Sequence, residues 1–459
     1  MTGEPAGPAP HEHRDEDALE PVHLIARSDA VLRAGTLMLG AGTSSRRVKD
    51  VMGAVAAALG IDALQAQVSF TDIVLTVVRR GIFRTQVAEV TKPGVNAERI
   101  ALLHTLEDDL RPGMHVADVA DRLRAIEGRR PLYPAWLLAA VVALACASIC
   151  VLNNGGWAEV AAVLPASALA YGLHRTMGRL QVNLIASVVI STAVASSLYL
   201  AFSWLVHGGR LGAEPRLVAG FVASAIFLVP GFPLVTGGLD VVRLDLDAGI
   251  ARLAYAGLVM LAMGVGVWGV ASVAGVSPDA VPVLALPLAG LWALRLAASF
   301  AAVRGWALMF NAPAAVALAS AAIAVAGNAL RLVLVDAGWA PHVATFAGAL
   351  LIGLVCHLVG WAGRLPVLIM TVPTLLVMIP GAPGVRALMY FNSGDLMGAL
   401  GQGLAVVLQA IAMVAGLAAA MMLTDPEWAF TRPDPPTLRR VGQRLARPRG
   451  LPWRERRRG

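Results

Sequence analysis

The hydrophobic pattern changes character at Pro131. From there to Met422 the chain consists of long apolar runs broken by short polar connections. A bilayer core of about 30 Å is crossed by roughly 20 helical residues. About ten stretches of that length are predicted, near 134–152, 156–173, 181–206, 216–236, 248–274, 280–299, 306–326, 341–361, 365–383 and 396–423.

Before Pro131 the pattern is that of a soluble domain. Residues 29–60 read as helix, break, helix. In the second piece Thr43, Ser44 or Ser45 supplies an N-cap, Val48, Met52, Val55 and Ala56 recur at helical spacing, and Gly60 ends it. QVSFTDIVLTVVRRG and FRTQVAEVT alternate apolar and polar residues around Arg79, Arg80 and Gly81, which predicts a hairpin. Asn96 is placed to cap a helix with Ile100, Leu103 and Leu106 on one face. These elements predict a compact α/β domain over 23–130. The acidic, proline-bearing residues 1–22 read as a disordered tail without the apolar run of a signal peptide, so the amino terminus is expected in the cytosol. The loop from Gly40 to Ser45 has glycines suited to a phosphate, but lacks the Gly-Lys-Ser/Thr ending of a P-loop; a plain capped helix start is the preferred reading. His104 and Asp108 lie one helical turn apart with no third ligand in view, and read as a solvated face.

Composition agrees with the apolar pattern: 57% of residues are hydrophobic and 15% charged, against about a quarter charged in a soluble domain. The three cysteines sit in apolar runs without zinc-type spacing, so neither a metal nor a cofactor is expected. The net charge of +7 comes largely from the arginine-rich segment within 425–459. No stacking aromatics accompany it, so anionic lipid is the expected partner rather than nucleic acid. An even number of spans puts both ends on one side. Arg129, Arg130, the HRTMGR connection at 174–179, Arg364 and the tail then fall together in the cytosol, against the two arginines of HGGRLGAEPR on the other face.

Inside the apolar region a pair of segments resemble each other. Pro230-Gly231-x-Pro233 and Pro380-Gly381-x-Pro383 stand 150 residues apart, as do Asp245 and Asp395. Five spans per copy is odd, so tandem copies face opposite ways across the bilayer, the inverted-repeat plan of secondary transporters. The predicted fold is therefore mainly α: a polytopic bundle of about ten helices in two inverted five-helix repeats, 131–276 and 277–424, behind a small α/β domain. Proline removes a backbone donor, and the groups it frees survive in lipid only where protein or a water-filled cavity satisfies them. A polar pocket is thus expected between the breaks. Asp240, Asp245 and Asp247 follow the first break, with Arg243 and Arg252; Arg386, Asn392 and Asp395 follow the second. They read as substrate-binding or coupling groups, or as interfacial residues ending those helices. Asn183, Arg295, Asn311, Asn328, His357, Gln402 and Gln409 lie farther inside the apolar stretches and are expected to bond neighbouring helices.

This layout resembles the threonine/serine exporter family. The resemblance runs from about Asp29 to Thr424. It rests on GAGTSSRRVKDVMGAVAAALG, on VNAERIALLHTLEDDL and on the two Pro-Gly-x-Pro segments. It implies a multi-pass inner-membrane exporter of threonine, serine or similar molecules, driven by protons, with no catalytic role; related pairs move dicarboxylates. A homo-oligomer is compatible with it. Two other classes stand beside it: an intramembrane aspartyl protease, suggested by Ser393-Gly394-Asp395, and a receptor signalling through its helices.

Overall fold

The structure, a computed structural model, describes residues 10–91, 94–209, 217–275, 282–363 and 365–429. The arginine-rich tail, the arginines of the 207–216 connection and Arg364 lie outside the described residues. The chain divides into two compact units. Among the described residues, one is built from those up to Gly94 and from Leu102 to Arg129; the other is built from Val95–Ala101 and from Arg130 to Ala429.

The first unit opens with α1 (Pro10–Gly40) and α2 (Ser45–Ala58). Helix starts inside the segment expected to be a disordered tail, because Pro10 takes the first helical position, where its missing N–H costs nothing. The two helices meet at Gly35, where a Cβ would stand 2.6 Å from Met52 Sδ. Val48, Met52, Val55 and Ala56 are buried, on the face their spacing predicts. Ser44 is the N-cap of α2, but its hydroxyl makes no capping bond.

Three strands follow, β1 (Ala63–Val68), β2 (Asp72–Arg79) and β3 (Ile82–Glu89), antiparallel in the order β1-β2-β3. The first predicted strand is in fact two. Asp72 N donates to Ser69 Oγ at 2.9 Å and Ser69 Oγ donates to Asp72 Oδ2 at 3.0 Å, which closes a turn inside the run. The next turn has φ of 48° at Arg80 and 80° at Gly81, the left-handed pair that a two-residue hairpin needs. Ile73, Leu75 and Val77 of the central strand are fully buried. Then come α3 (Ala97–Asp109), with Arg99 N donating to the cap Asn96 Oδ1 at 3.1 Å, and α4 (Val116–Glu127).

The helical unit comprises α5 (Ala135–Leu152), α6 (Trp157–Arg179), α7 (Leu184–Val206), α8 (Leu217–Ser224), α9 (Gly231–Val242), α10 (Leu246–Ala274), α11 (Leu288–Met309), α12 (Ala314–Asp336), α13 (Pro341–Gly363), α14 (Val367–Leu375), α15 (Gly381–Asn392), α16 (Leu396–Thr424) and the short α17 (Pro426–Ala429). Six of these helices are long and apolar enough to cross a bilayer, and eight spans result if each bent pair, α8 with α9 and α14 with α15, counts as one. The ten expected spans include α6 and α11 as well. Both are long, but Glu159, Arg175 and Arg179 in α6 and Arg295 and Arg304 in α11 keep them outside that set.

Three boundaries differ from expectation for identifiable reasons. The spans placed at 280–299 and 306–326 begin at Leu288 and Ala314, because Pro287 and Pro313 form the N-caps. Asn311 consequently lies in a turn with φ 59°, not within a span; its Nδ2 donates to Asn96 Oδ1 at 2.9 Å. HRTMGR, expected as a connection, forms the last turns of α6, since nothing in it breaks a helix before Leu180. Asn183 is likewise the N-cap of α7, where its Oδ1 accepts from Ile185 N at 2.9 Å.

Element lengths recur along the unit. The helices α6, α7, α12 and α13 are each 23 residues, α9 and α15 are each 12, and α10 and α16 are each 29.

Candidate functional site at two helix breaks

Both Pro-Gly-x-Pro segments interrupt a helix, and they do so with one backbone geometry. A 3-10 turn, Ile226–Leu228 in one and Leu376–Met378 in the other, leads into an extended residue and then the proline. Pro230 has φ −79° and ψ 63°, and Pro380 has φ −77° and ψ 60°. These are the dihedrals of an inverse γ-turn. Its hydrogen bond is present in both: Gly231 N donates to Val229 O at 2.8 Å and Gly381 N to Ile379 O at 2.8 Å. The second proline of each motif supplies no N–H to that carbonyl, which frees it for the turn. The chain bends by 70° at the first break and 42° at the second.

The breaks pack on each other. A Cβ on Gly231 would stand 2.0 Å from Leu376 Cδ2, and one on Gly381 would stand 3.0 Å from Ile226 Cδ1. These contacts exchange under the 150-residue offset, since 226 maps to 376 and 231 to 381. A second pair behaves the same way: a Cβ on Gly238 would stand 2.6 Å from Val414 and one on Gly264 2.9 Å from Leu388, with 238 mapping to 388 and 264 to 414. Between the breaks lies a narrow recess lined by Ile226, Phe227, Val229, Trp306, Leu376 and Ile379, among others. The side chains lining this recess are apolar apart from the Trp306 indole.

The charged candidates do not converge on that recess. Asp240 in α9 is fully buried, and its Oδ2 lies 2.9 Å from Nη1 of Arg252 in α10, itself 2% exposed. The contact is ionic, at an angle outside hydrogen-bond geometry for that nitrogen. Asp245 is the N-cap of α10 and Asp395 the N-cap of α16, so each begins a 29-residue helix. Asp395 Oδ1 accepts from Gly398 N at 2.9 Å, whereas Asp245 makes no such bond. Asp247 is exposed in the first turn of α10. Arg243, at the end of α9, stacks 3.6 Å over the Trp428 ring. Asn392 Oδ1 accepts from Trp268 Nε1 and Ser272 Oγ, each at 3.1 Å, a tie between α15 and α10. Arg386 is half-buried in α15; Pro233 and Pro383 are half-buried in the first turns of α9 and α15.

Two groups near the first break are absent from the residues that the sequence singles out. His174 Nδ1 lies 3.1 Å from Ser187 Oγ and 3.2 Å from Ser191 Oγ, with its ring against Phe227 at 6.3 Å between centroids. Hydropathy ends α6 too early to include it. Trp306 is hidden for a related reason: hydropathy ends the preceding span at 299 and assigns Trp306 to the next one, whereas it lies in the last turns of α11.

Comparison with known proteins decides the family. The model of the threonine/serine exporters, ThrE, matches residues 29–274, and a second model of the same description matches residues 295–423. The chain belongs to the threonine/serine exporter family. It is similar to a Mycobacterium tuberculosis protein named "Probable threonine/serine exporter", at 25% identity over 97% of this chain and 86% of the relative. It is also similar to a Klebsiella aerogenes protein named "Probable succinate transporter subunit YjjP", at 30% identity over 51% of this chain and 89% of that relative. A third relative, "Pheromone-regulated membrane protein 10" of Debaryomyces hansenii, is 22% identical over 53% of this chain and 24% of its own length. No solved structure matches the chain. As a member of a transporter family it is a multi-pass membrane protein that handles a small molecule.

Proposed function

We propose that this chain exports threonine, serine or a related small metabolite from the cytosol, by alternating access between two oppositely oriented five-helix halves and in exchange for protons. The reciprocal packing of the two breaks carries this reading. A contact set that exchanges residue i with residue j is the mark of a two-fold relation. A two-fold lying in the membrane plane inverts one half against the other and places the shared breaks at mid-depth. Counting α6, α11 and the two bent pairs as spans gives five per half, and the chain then sits in the inner membrane with residues 23–130 and both ends in the cytosol.

The breaks are the moving elements. Two halves joined through glycine-on-aliphatic contacts at Gly231 and Gly381 can rock with no hydrogen bond to break at those contacts. Coupling falls to Asp240, the one of the four candidate acids that is fully buried. An intramembrane carboxylate held by arginine is costly to keep and is retained for function. Proton uptake on Asp240 would release Arg252 and so bias one packing over the other, with Asp245 and Asp395 anchoring the two long helices. Movement of a dicarboxylate through the same architecture is the second reading, favoured by the relative named as a succinate transporter subunit.

Efflux of preloaded labelled threonine, serine or succinate from sealed proteoliposomes, with and without an inward proton gradient, tests both. Threonine or serine efflux accelerated by the gradient is the expected result. Succinate efflux alone would select the second reading, and cleavage of a membrane-bound reporter without flux would return the protease class.

A further inference from the structure

We infer that Trp306 contacts the transported molecule, its indole N–H donating to a substrate carboxylate oxygen; this rests on the export reading given above. Trp306 belongs to α11, is 3% exposed and lines the recess between the two breaks. Its Nε1–H is buried and has no acceptor. A buried indole N–H normally finds a partner, because indole is a donor only and cannot be satisfied in any other way. The side chains around the recess, Ile226, Phe227, Val229, Met309, Leu376 and Ile379, offer no oxygen acceptor, only the weak thioether of Met309. An acceptor that enters the recess would complete this donor.

The chemistry of that acceptor is restricted. A lone N–H donor binds an oxygen lone pair and has nothing to offer an ammonium group. Amino acids and dicarboxylates share a carboxylate, the strongest acceptor either carries. No cationic side chain lines the recess, so the hold on that carboxylate is a single neutral hydrogen bond, weak enough to permit release on the far side. Access requires only that Leu376 withdraw from Gly231 and Ile226 from Gly381, the same parting that alternating access needs.

The test uses the full chain in sealed proteoliposomes with labelled L-threonine. Two replacements at position 306 remove the donor: phenylalanine, and benzothienylalanine, in which sulfur replaces the N–H within the tryptophan outline. Each is expected to raise the half-saturating threonine concentration about tenfold while the maximal rate changes less than about twofold. Inhibition by threoninol, which lacks the carboxylate, is expected to match wild type. Because the sulfur isostere preserves packing, a normal half-saturation in that variant overturns the inference, and so does an equal loss of affinity for threoninol. A wild-type protein that moves none of threonine, serine and succinate overturns the export reading and this inference together. Normal wild-type flux with an unaffected isostere overturns this inference alone.

Discussion

At Pro230 and Pro380 the chain makes one turn twice, and then departs from itself in the residues that follow. The γ-turn dihedrals agree within a few degrees and the flanking 3-10 turns coincide in register. Leu244 and Gly394, which precede the two capping acids, both take positive φ, 63° and 81°. Yet under the same offset Asp240 maps to Tyr390, Arg252 to Gln402 and Thr236 to Arg386. Backbone geometry at a break is held by two prolines and a glycine facing a neighbour, and it tolerates almost any side chain elsewhere. Chemistry is free to settle in one half. Here the segment around the first break holds the buried ion pair and the sharper bend, which makes it the charge-bearing side of the proposed hinge.

The largest effect is expected from removing the charge in one half and its counterpart in the other. Arg252→Ala leaves Asp240 buried without its cation and is expected to cost about 3–5 kcal/mol. Gln402→Ala, at a half-buried site, is expected to cost under about 0.5 kcal/mol. Thermal unfolding of the detergent-solubilised protein measures both, and equal losses would show that the halves share their burden. Replacing both members, Asp240→Leu with Arg252→Leu, removes the stranded charge and should restore most of the stability. If Asp240 couples transport to protons, that double variant keeps its fold and loses acceleration by a pH gradient.

The sequence exposes the symmetric features of this arrangement far better than the asymmetric ones. Pro-Gly-x-Pro twice at one offset is a local signal, because proline and glycine act on their own backbone. The starts of α11 and α12 are equally local, at Pro287 and Pro313, but hydropathy runs straight through both prolines and masks them. Asp240 and Arg252 stand out as candidates, but their partnership depends on the angle between α9 and α10. That angle is set by close packing at Gly237 and Gly249 rather than by any spacing along the chain. Trp306 stands further still from its context: an indole among apolar residues looks like core until its N–H is found without an acceptor.

A smaller effect probes the contact between the breaks. Gly231→Ala places a methyl 2.0 Å from Leu376 Cδ2, and overpacking of this kind costs about 1–3 kcal/mol. Gly381→Ala meets only the far end of Ile226 at 3.0 Å and is expected to cost under about 1 kcal/mol. Leu376→Ala should rescue the first variant and do nothing for the second. Such rescue, read from melting temperature and efflux rate together, would place the steric limit of the hinge on the same half that carries the charge. Equal penalties without rescue would mean that the bend, and not the contact, sets the difference.

The smallest effect separates capping from charge at the two matched acids. Asp395 accepts a hydrogen bond from Gly398 N, so Asp395→Ala should cost about 1 kcal/mol, while Asp395→Asn, an equally good cap, should cost almost nothing. Asp245 makes no capping bond, but its charge acts on the buried Arg252, so its exchange for asparagine should cost more than Asp395→Asn. Stability is therefore nearly constant in Asp395→Asn, where any change in efflux reports the negative charge alone, while efflux in Asp245→Asn is read beside its melting temperature. Slower efflux of preloaded threonine in Asp245→Asn but not in Asp395→Asn would extend the imbalance seen at Asp240 to the helix starts. Slower efflux in both would make these acids the one place where the two halves share chemistry as well as backbone, and unaltered efflux in both would leave Asp245 and Asp395 as helix starts without a role in transport.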